Sequence, residues 1–190
     1  YDREPITAAD VGAVGALMVV LKDAVMPNLV QTTEGVPALV HGGPFGNIAH
    51  GCSSVIATKL ALAHADYVVT EAGFGFELGA EKFLDIKCVS AGLQVATVVL
   101  VATVRALKFH GGVPFAQLAK PDPAAVERGL GNLIKHLENI RAFGECPVVA
   151  LNRFGTDTPE EIDVVRKACR AMPAPFALSD IFEKGGDGGL

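Results

Sequence analysis

The sequence predicts an α/β fold: a mostly parallel sheet with helices on both faces. Three observations predict it. Short apolar, β-branched runs alternate along the chain with stretches of helical period. Those runs, such as Val148-Val149-Ala150-Leu151, do not alternate with polar residues, as expected when both faces of a sheet are covered. Strand–helix–strand order then favours right-handed parallel crossovers, which place ligands beyond the carboxyl ends of the strands.

The elements follow in order. Thr7 caps a first helix, with Asp10 reaching back in a capping-box geometry. Val11, Val14, Met18, Leu21 and Val25 form its apolar stripe, and Pro27 ends it. Gly12 and Gly15 lower its helix propensity and point to close packing. Ala38-Leu39-Val40 reads as a strand entering the glycine loop at 42–46, with a helix over 53–65. Tyr67-Val68-Val69 reads as a second strand and residues 97–101 as a third. Residues 123–143 form a long amphipathic helix with Val126, Leu130, Leu133, Leu137 and Ile140 on one face. Residues 148–151 are a fourth strand. Thr158-Pro159-Glu160-Glu161 opens another helix with a cap, a proline at the first helical position and acidic residues in the first turn. Phe176-Ala177-Leu178 is a fifth strand. The chain reads as one α/β region over 1–190, without an internal boundary.

Composition narrows the partners. A formal charge of −5 argues against nucleic acid and against an anionic membrane surface. The longest apolar run, residues 95–104, is half the roughly 20 residues that a bilayer-spanning helix needs. Cys52, Cys88, Cys146 and Cys169 form no C-x-x-C pair, which fits partly buried thiols in a reducing, cytoplasmic setting better than disulfides or zinc. Only 19% of residues are charged, below the roughly 25% usual for globular domains. That shortage predicts further buried surface, in a subunit interface or against further segments. The start at Tyr1 and the closing run Gly185-Gly186-Asp187-Gly188-Gly189 do not read as natural domain ends.

The chemistry should lie just after each strand. Residues 46–53 have the spacing G-x-x-x-x-G-x-S, but Cys52 stands where a phosphate-binding loop carries Lys. The segment fits either an anion-binding loop or a tight turn capped by Ser53. Asn47 and His50 are candidates within it. His41 and His50 are each a general base or a satisfied structural histidine. The second strand leads into Glu71, Phe74, Gly75, Phe76 and Glu77, where glycines and an aromatic suit either a planar ligand or a flexible turn with one aromatic in the core. The third leads into Arg105, Lys108 and His110, a small cationic group that fits a carboxylate or phosphate site and, equally, a solvated basic turn. The fourth and fifth lead into Arg153-Phe154-Gly155 and Leu178-Ser179-Asp180-Ile181-Phe182. Phe154 and Phe182 could sandwich a flat heterocycle, each stacked pair being worth roughly 0.5–1.5 kcal/mol beyond area burial. No metal-ligand cluster and no G-x-S-x-G is present.

These loops together resemble formate–tetrahydrofolate ligase. The resemblance rests on Lys22-Asp23-Ala24, Pro27-Asn28-Leu29-Val30-Gln31-Thr32, residues 41–54, 70–88, 98–113 and 152–158, and it runs in order from about residue 7 to 190. It implies a P-loop NTPase-like architecture, here incomplete relative to the family. It implies ATP-dependent joining of formate to tetrahydrofolate through formyl phosphate, giving 10-formyltetrahydrofolate. ATP with Mg²⁺ would be a substrate, a monovalent cation a possible stabiliser, and a homotetramer the usual assembly. Phe154, Gly155 and Phe182 would hold the pterin. Leu178 and Ser179 would lie beside the nucleotide base, with Phe74 and Gly75 bordering the nucleotide and formyl phosphate. Four departures stand out: Phe182 replaces Trp, Gly155 replaces Pro, Gly46 replaces Ala, and Phe76-Glu77 replaces a smaller Ala-Asp pair.

The family's phosphate-loop Lys and formyl-phosphate Arg lie upstream of anything matched, so no catalytic residue is assigned. The chain reads as the central part of a larger ligase, inactive by itself because phosphoryl transfer needs that loop and its metal. The alternatives are a non-catalytic folate- or nucleotide-binding homologue, an assembly piece, and a P-loop-like NTPase unrelated to folate. The last rests only on the 46–53 spacing.

Overall fold

The computed structural model of the chain describes residues 4–43 and 52–189. The chain divides into two compact units, Tyr1–Ala72 and Gly73–Leu190.

In Tyr1–Ala72 the Thr7–Asp10 pairing forms: Thr7 N and Oγ1 both donate to Asp10 Oδ2, at 2.8 and 2.7 Å. The helix does not follow at once. Gly12 has φ +65°, a left-handed conformation that a right-handed helix cannot contain. α1 therefore spans only Val14–Leu21, shorter than its apolar stripe suggests. A strand the sequence did not signal comes next. β1 (Asn28–Gln31) pairs antiparallel with β2 (Pro37–Val40). The strand expected at 38–40 is thus half of a hairpin and not part of the parallel sheet. The residues between are too few for a parallel crossover, which takes a dozen or more. Instead Gly35, at φ +78°, closes a turn in which Gly35 N donates to Thr32 O at 3.0 Å. α2 covers Val55–His64, capped by Ser54 rather than Ser53. Tyr67-Val68-Val69 is irregular, not a strand, with Val69 96% exposed. β-branched residues favour extended backbone, but a strand needs a ladder partner, and none of the described residues supplies one.

In Gly73–Leu190, Phe76–Ala80 and Phe83–Cys88 form wide π-type turns that continue into a short α3, Val89–Ala91. Three parallel strands follow in spatial order β3 (Val98–Ala102), β4 (Pro147–Asn152), β5 (Phe176–Ser179). Each lies within a residue or two of its sequence-based position. β3 and β4 run in register Val99↔Val148, and β4 and β5 in register Leu151↔Leu178. Leu100, Val149 and Leu151 face the core, while Val99 and Val101 on the opposite face are more than half exposed.

The core is completed by α4 (Val104–His110), α5 (Pro123–Ala142) and α6 (Pro159–Ala171). The α5 face expected from the sequence does point inward, with Val126, Leu133, Leu137 and Ile140 buried. Burying each such side chain contributes roughly 1.5–3 kcal/mol. Thr158 and Glu161 form the reciprocal capping box of α6, behind Pro159. α4 and α5 approach so closely that a Cβ on Gly129 would sit 1.9 Å from Leu107 O. A Cβ on Gly111 would sit 2.0 Å from Ala125 O. Glycine at both positions is what allows the contact.

Lys108 corrects the expected cationic group. Its side chain is fully buried and its Nζ donates to Glu161 Oε1 at 2.9 Å and to Lys120 O at 3.1 Å. Glu161 also accepts from Asp122 N (2.8 Å) and Thr158 N (2.9 Å). Burial alone would raise its carboxyl; the two amides and the Lys108 ammonium outweigh that and hold it below the ordinary value. This pair joins α4 to the starts of α5 and α6 and leaves Lys108 no charge to offer a ligand. Among the described residues no helix is long and apolar enough to cross a membrane.

Candidate functional site

The turn after β4 carries Phe154 on a fixed scaffold. Phe154 N donates to Asp157 Oδ2 at 2.9 Å, and Asp157 N donates back to Phe154 O at 2.9 Å. The Asp three residues on in Phe154-Gly155-Thr156-Asp157 is a turn signal that could have revealed this cap. Asp157 Oδ1 is buried with no hydrogen-bond partner. Burial pushes its carboxyl up, reinforced by the nearby Glu161, while the Phe154 amide, Lys108 and Arg105 pull the other way. The loop therefore holds an acceptor with spare capacity.

The turn after β5 is tied to it. Arg153 N donates to Ser179 O at 2.9 Å. The Arg153 guanidinium makes a two-point ion pair with Asp180: Nη2 to Oδ2 and Nε to Oδ1, each at 2.7 Å. Lys184, at the end of α7 (Ile181–Lys184), reaches the same carboxylate at 2.9 Å. The Lys184 hydrogen bond, with Arg153 beside it, holds the Asp180 carboxyl below its ordinary value against the opposing effect of burial. Neither Arg153 nor Asp180 was singled out from the sequence, because residues 27 positions apart give no local pairing signal.

This tie brings Phe154 and Phe182 together. Their ring centroids are 4.6 Å apart with planes tilted by 51°. The rings touch each other, so a flat heterocycle stacked between them requires them to part. Phe182 is 68% exposed, so solvent and not packed protein covers most of its ring. Beside Gly155, the place of a Cβ is taken by the Glu183 carboxylate, 2.6 Å away. Leu178 and Ser179 stand at the carboxyl end of β5, partly exposed.

A cavity of about 470 Å³ adjoins Phe154. Thr103, Arg105, Ala106, Phe109 and His110 line it from β3's end and α4. Phe115 and Leu118 line it from the loop before α5. The Arg105 guanidinium lies over the Phe115 ring, 5.7 Å from its centroid. Phe109, Phe115 and Leu118 escaped the sequence reading because apolar residues near a helix end look like core.

Phe74 is 72% exposed with φ +52°, and the Glu77 carboxylate crowds the Cβ position of Gly75 at 2.4 Å. Phe76 is buried edge-on against His136 and Phe143, at 6.4 and 6.0 Å. Glu71 lies exposed in the irregular end of the first unit. Asn47, His50 and Gly46 lie outside the described residues. His41 has both ring nitrogens engaged, Nε2 with Ala24 O at 2.7 Å and Nδ1 with Ser54 Oγ at 2.6 Å. That is the satisfied structural histidine, not a poised base. Cys52, Cys88 and Cys169 are buried and Cys146 is exposed.

Among the described residues no group of three or more His, Cys, Asp or Glu is placed to hold a metal ion. The family model described as formate–tetrahydrofolate ligase matches residues 1–190. The formate–tetrahydrofolate ligase of Bacteroides thetaiotaomicron is 53% identical over 190 residues, which is all of this chain and 34% of that protein. The chain thus spans about a third of the length of the curated relative it matches.

Proposed function

This chain belongs to the formate–tetrahydrofolate ligase family, and we propose that it is the central, folate-facing part of an enzyme that joins formate to tetrahydrofolate at the expense of ATP. The reaction would pass through formyl phosphate, which the folate N10 amine attacks, giving 10-formyltetrahydrofolate. The observation that carries this reading is the tied pair of turns: Arg153–Asp180 holds the turns that carry Phe154 and Phe182, whose rings meet at a tilt at adjacent strand ends. Aromatic walls at the carboxyl ends of parallel strands suit a pterin ring. Leu178 and Ser179 would border the nucleotide base, and Phe74 and Gly75 the formyl phosphate. The enzyme would be a cytoplasmic homotetramer.

The same reading assigns ATP with Mg²⁺ as substrate and a monovalent cation as stabiliser. The described residues offer no cluster that fits a metal ion. These 190 residues contain no G-x-x-x-x-G-K-[ST], so the isolated polypeptide makes no 10-formyltetrahydrofolate from ATP and formate.

The test is Phe154→Ala in the full-length protein that carries these residues. Loss of about 1 kcal/mol of stacking raises the KM for tetrahydrofolate about fivefold, with the KM for ATP unchanged. An equal rise in both would remove the stacking assignment.

A further inference from the structure

We propose that the cavity beside Phe154 is a separate subsite for an aromatic carboxylate: the p-aminobenzoyl-glutamate tail of the folate. The inference rests on the pterin reading above and extends it to the other half of the ligand. Phe154 belongs to both the aromatic pair and the cavity wall, so a ligand stacked on Phe154 has its neighbouring groups at the cavity mouth.

The cavity's chemistry matches a ring that ends in negative charge. At about 470 Å³ it falls within the roughly 300–1,000 Å³ of small-molecule sites and far exceeds what formate or a single phosphate fills. Its walls are largely apolar, with Phe109, Phe115 and Leu118 suited to an aryl group. A phosphate chain would instead call for a lining of amides and several cations. Arg105 supplies the charge. Of the three cations that follow β3 and β4 most closely, Arg153 is neutralised by Asp180 and Lys108 by Glu161. Arg105 has no carboxylate within ion-pair distance among the described residues. Its guanidinium lies over Phe115 and within electrostatic reach of Asp157, and its planar donor fork suits a carboxylate. His110, at the far end of α4, adds a second nitrogen donor to the same wall.

The test compares tetrahydrofolate with 6-methyltetrahydropterin, which has the ring but no tail, by calorimetry on the full-length protein. The wild type binds tetrahydrofolate at least about tenfold more tightly. Arg105→Met removes about tenfold from tetrahydrofolate affinity and nothing from tetrahydropterin, and Arg105→Lys restores part of it. Arg105 is exposed, so the unfolding midpoint of either variant stays at the wild-type value. If Arg105→Met weakens both compounds equally, or neither, or if the wild type does not distinguish them, the tail assignment is overturned. The pterin reading then stands as long as Phe154→Ala still weakens both compounds. If neither compound binds the wild type, both readings fall together.

Discussion

In Gly73–Leu190 the side chains of Val104, Val126, Leu137, Val149 and Val165 have no exposed surface, whereas in Tyr1–Ala72 those of Val11, Met18, Val19 and Val25 are more than half exposed. Both stretches are rich in apolar residues, so composition does not separate them. What differs is the supply of facing surfaces. The second unit offers a three-stranded sheet and three helices whose apolar faces meet, which is enough to close a core. Among its described residues the first offers two short helices, of eight and ten residues, and a two-stranded hairpin. A hairpin alone is marginal in water, and a short helix has little stability without packing. Apolar sequence becomes a core only where another apolar face covers it.

The sharpest way to break the contrast is at the buried ion pair. Lys108→Ala leaves the buried Glu161 with its two amide donors but no ammonium partner, and destabilises the second unit by about 3 kcal/mol in urea unfolding. The pair also predicts an acid limb. The Glu161 carboxyl is held below its ordinary value of 4.5, so its contribution is present above that pH and lost as pH falls through the folded-state value. Glu161→Gln lowers stability at neutral pH and flattens that limb; a limb of unchanged steepness would place the acid sensitivity elsewhere.

Next in size is Gly129→Ala. The new methyl would meet the Leu107 carbonyl, so α4 and α5 must separate, at a cost of about 1–3 kcal/mol. Because α4 carries Arg105 and His110, the same variant should weaken tetrahydrofolate binding. Thermal unfolding beside a binding titration checks both effects. The smallest effect is expected at Val19→Ser, where the side chain is 78% exposed. Its unfolding free energy should stay within about 0.5 kcal/mol of wild type; a loss of several times that would show Val19 to be covered in solution.

Most of the second unit could be read directly from the chain. The α6 capping box, the proline and acids of its first turn, and the apolar face of α5 are local patterns, and local patterns survive into the structure. The missed β1 and the absent strand at residues 67–69 show the limit. Whether an extended run pairs depends on a partner, which local propensity does not encode. The aromatic candidates Phe154 and Phe182 were visible because each stands just past a strand end. The Arg153–Asp180 tie between them was not, nor was the loss of Lys108 to Glu161, since both join residues distant in sequence.

The sequence by itself determined the α/β class, the membership of its motifs in one ligase family and the positions at which strands deliver side chains to their carboxyl ends. These follow from periodicity, capping and residue order, all of which are short-range. Tertiary structure alone decided which cations are spent on internal carboxylates and which one, Arg105, is left facing a cavity. Charge pairing depends on distances between elements, and those distances are set by packing that no single segment contains.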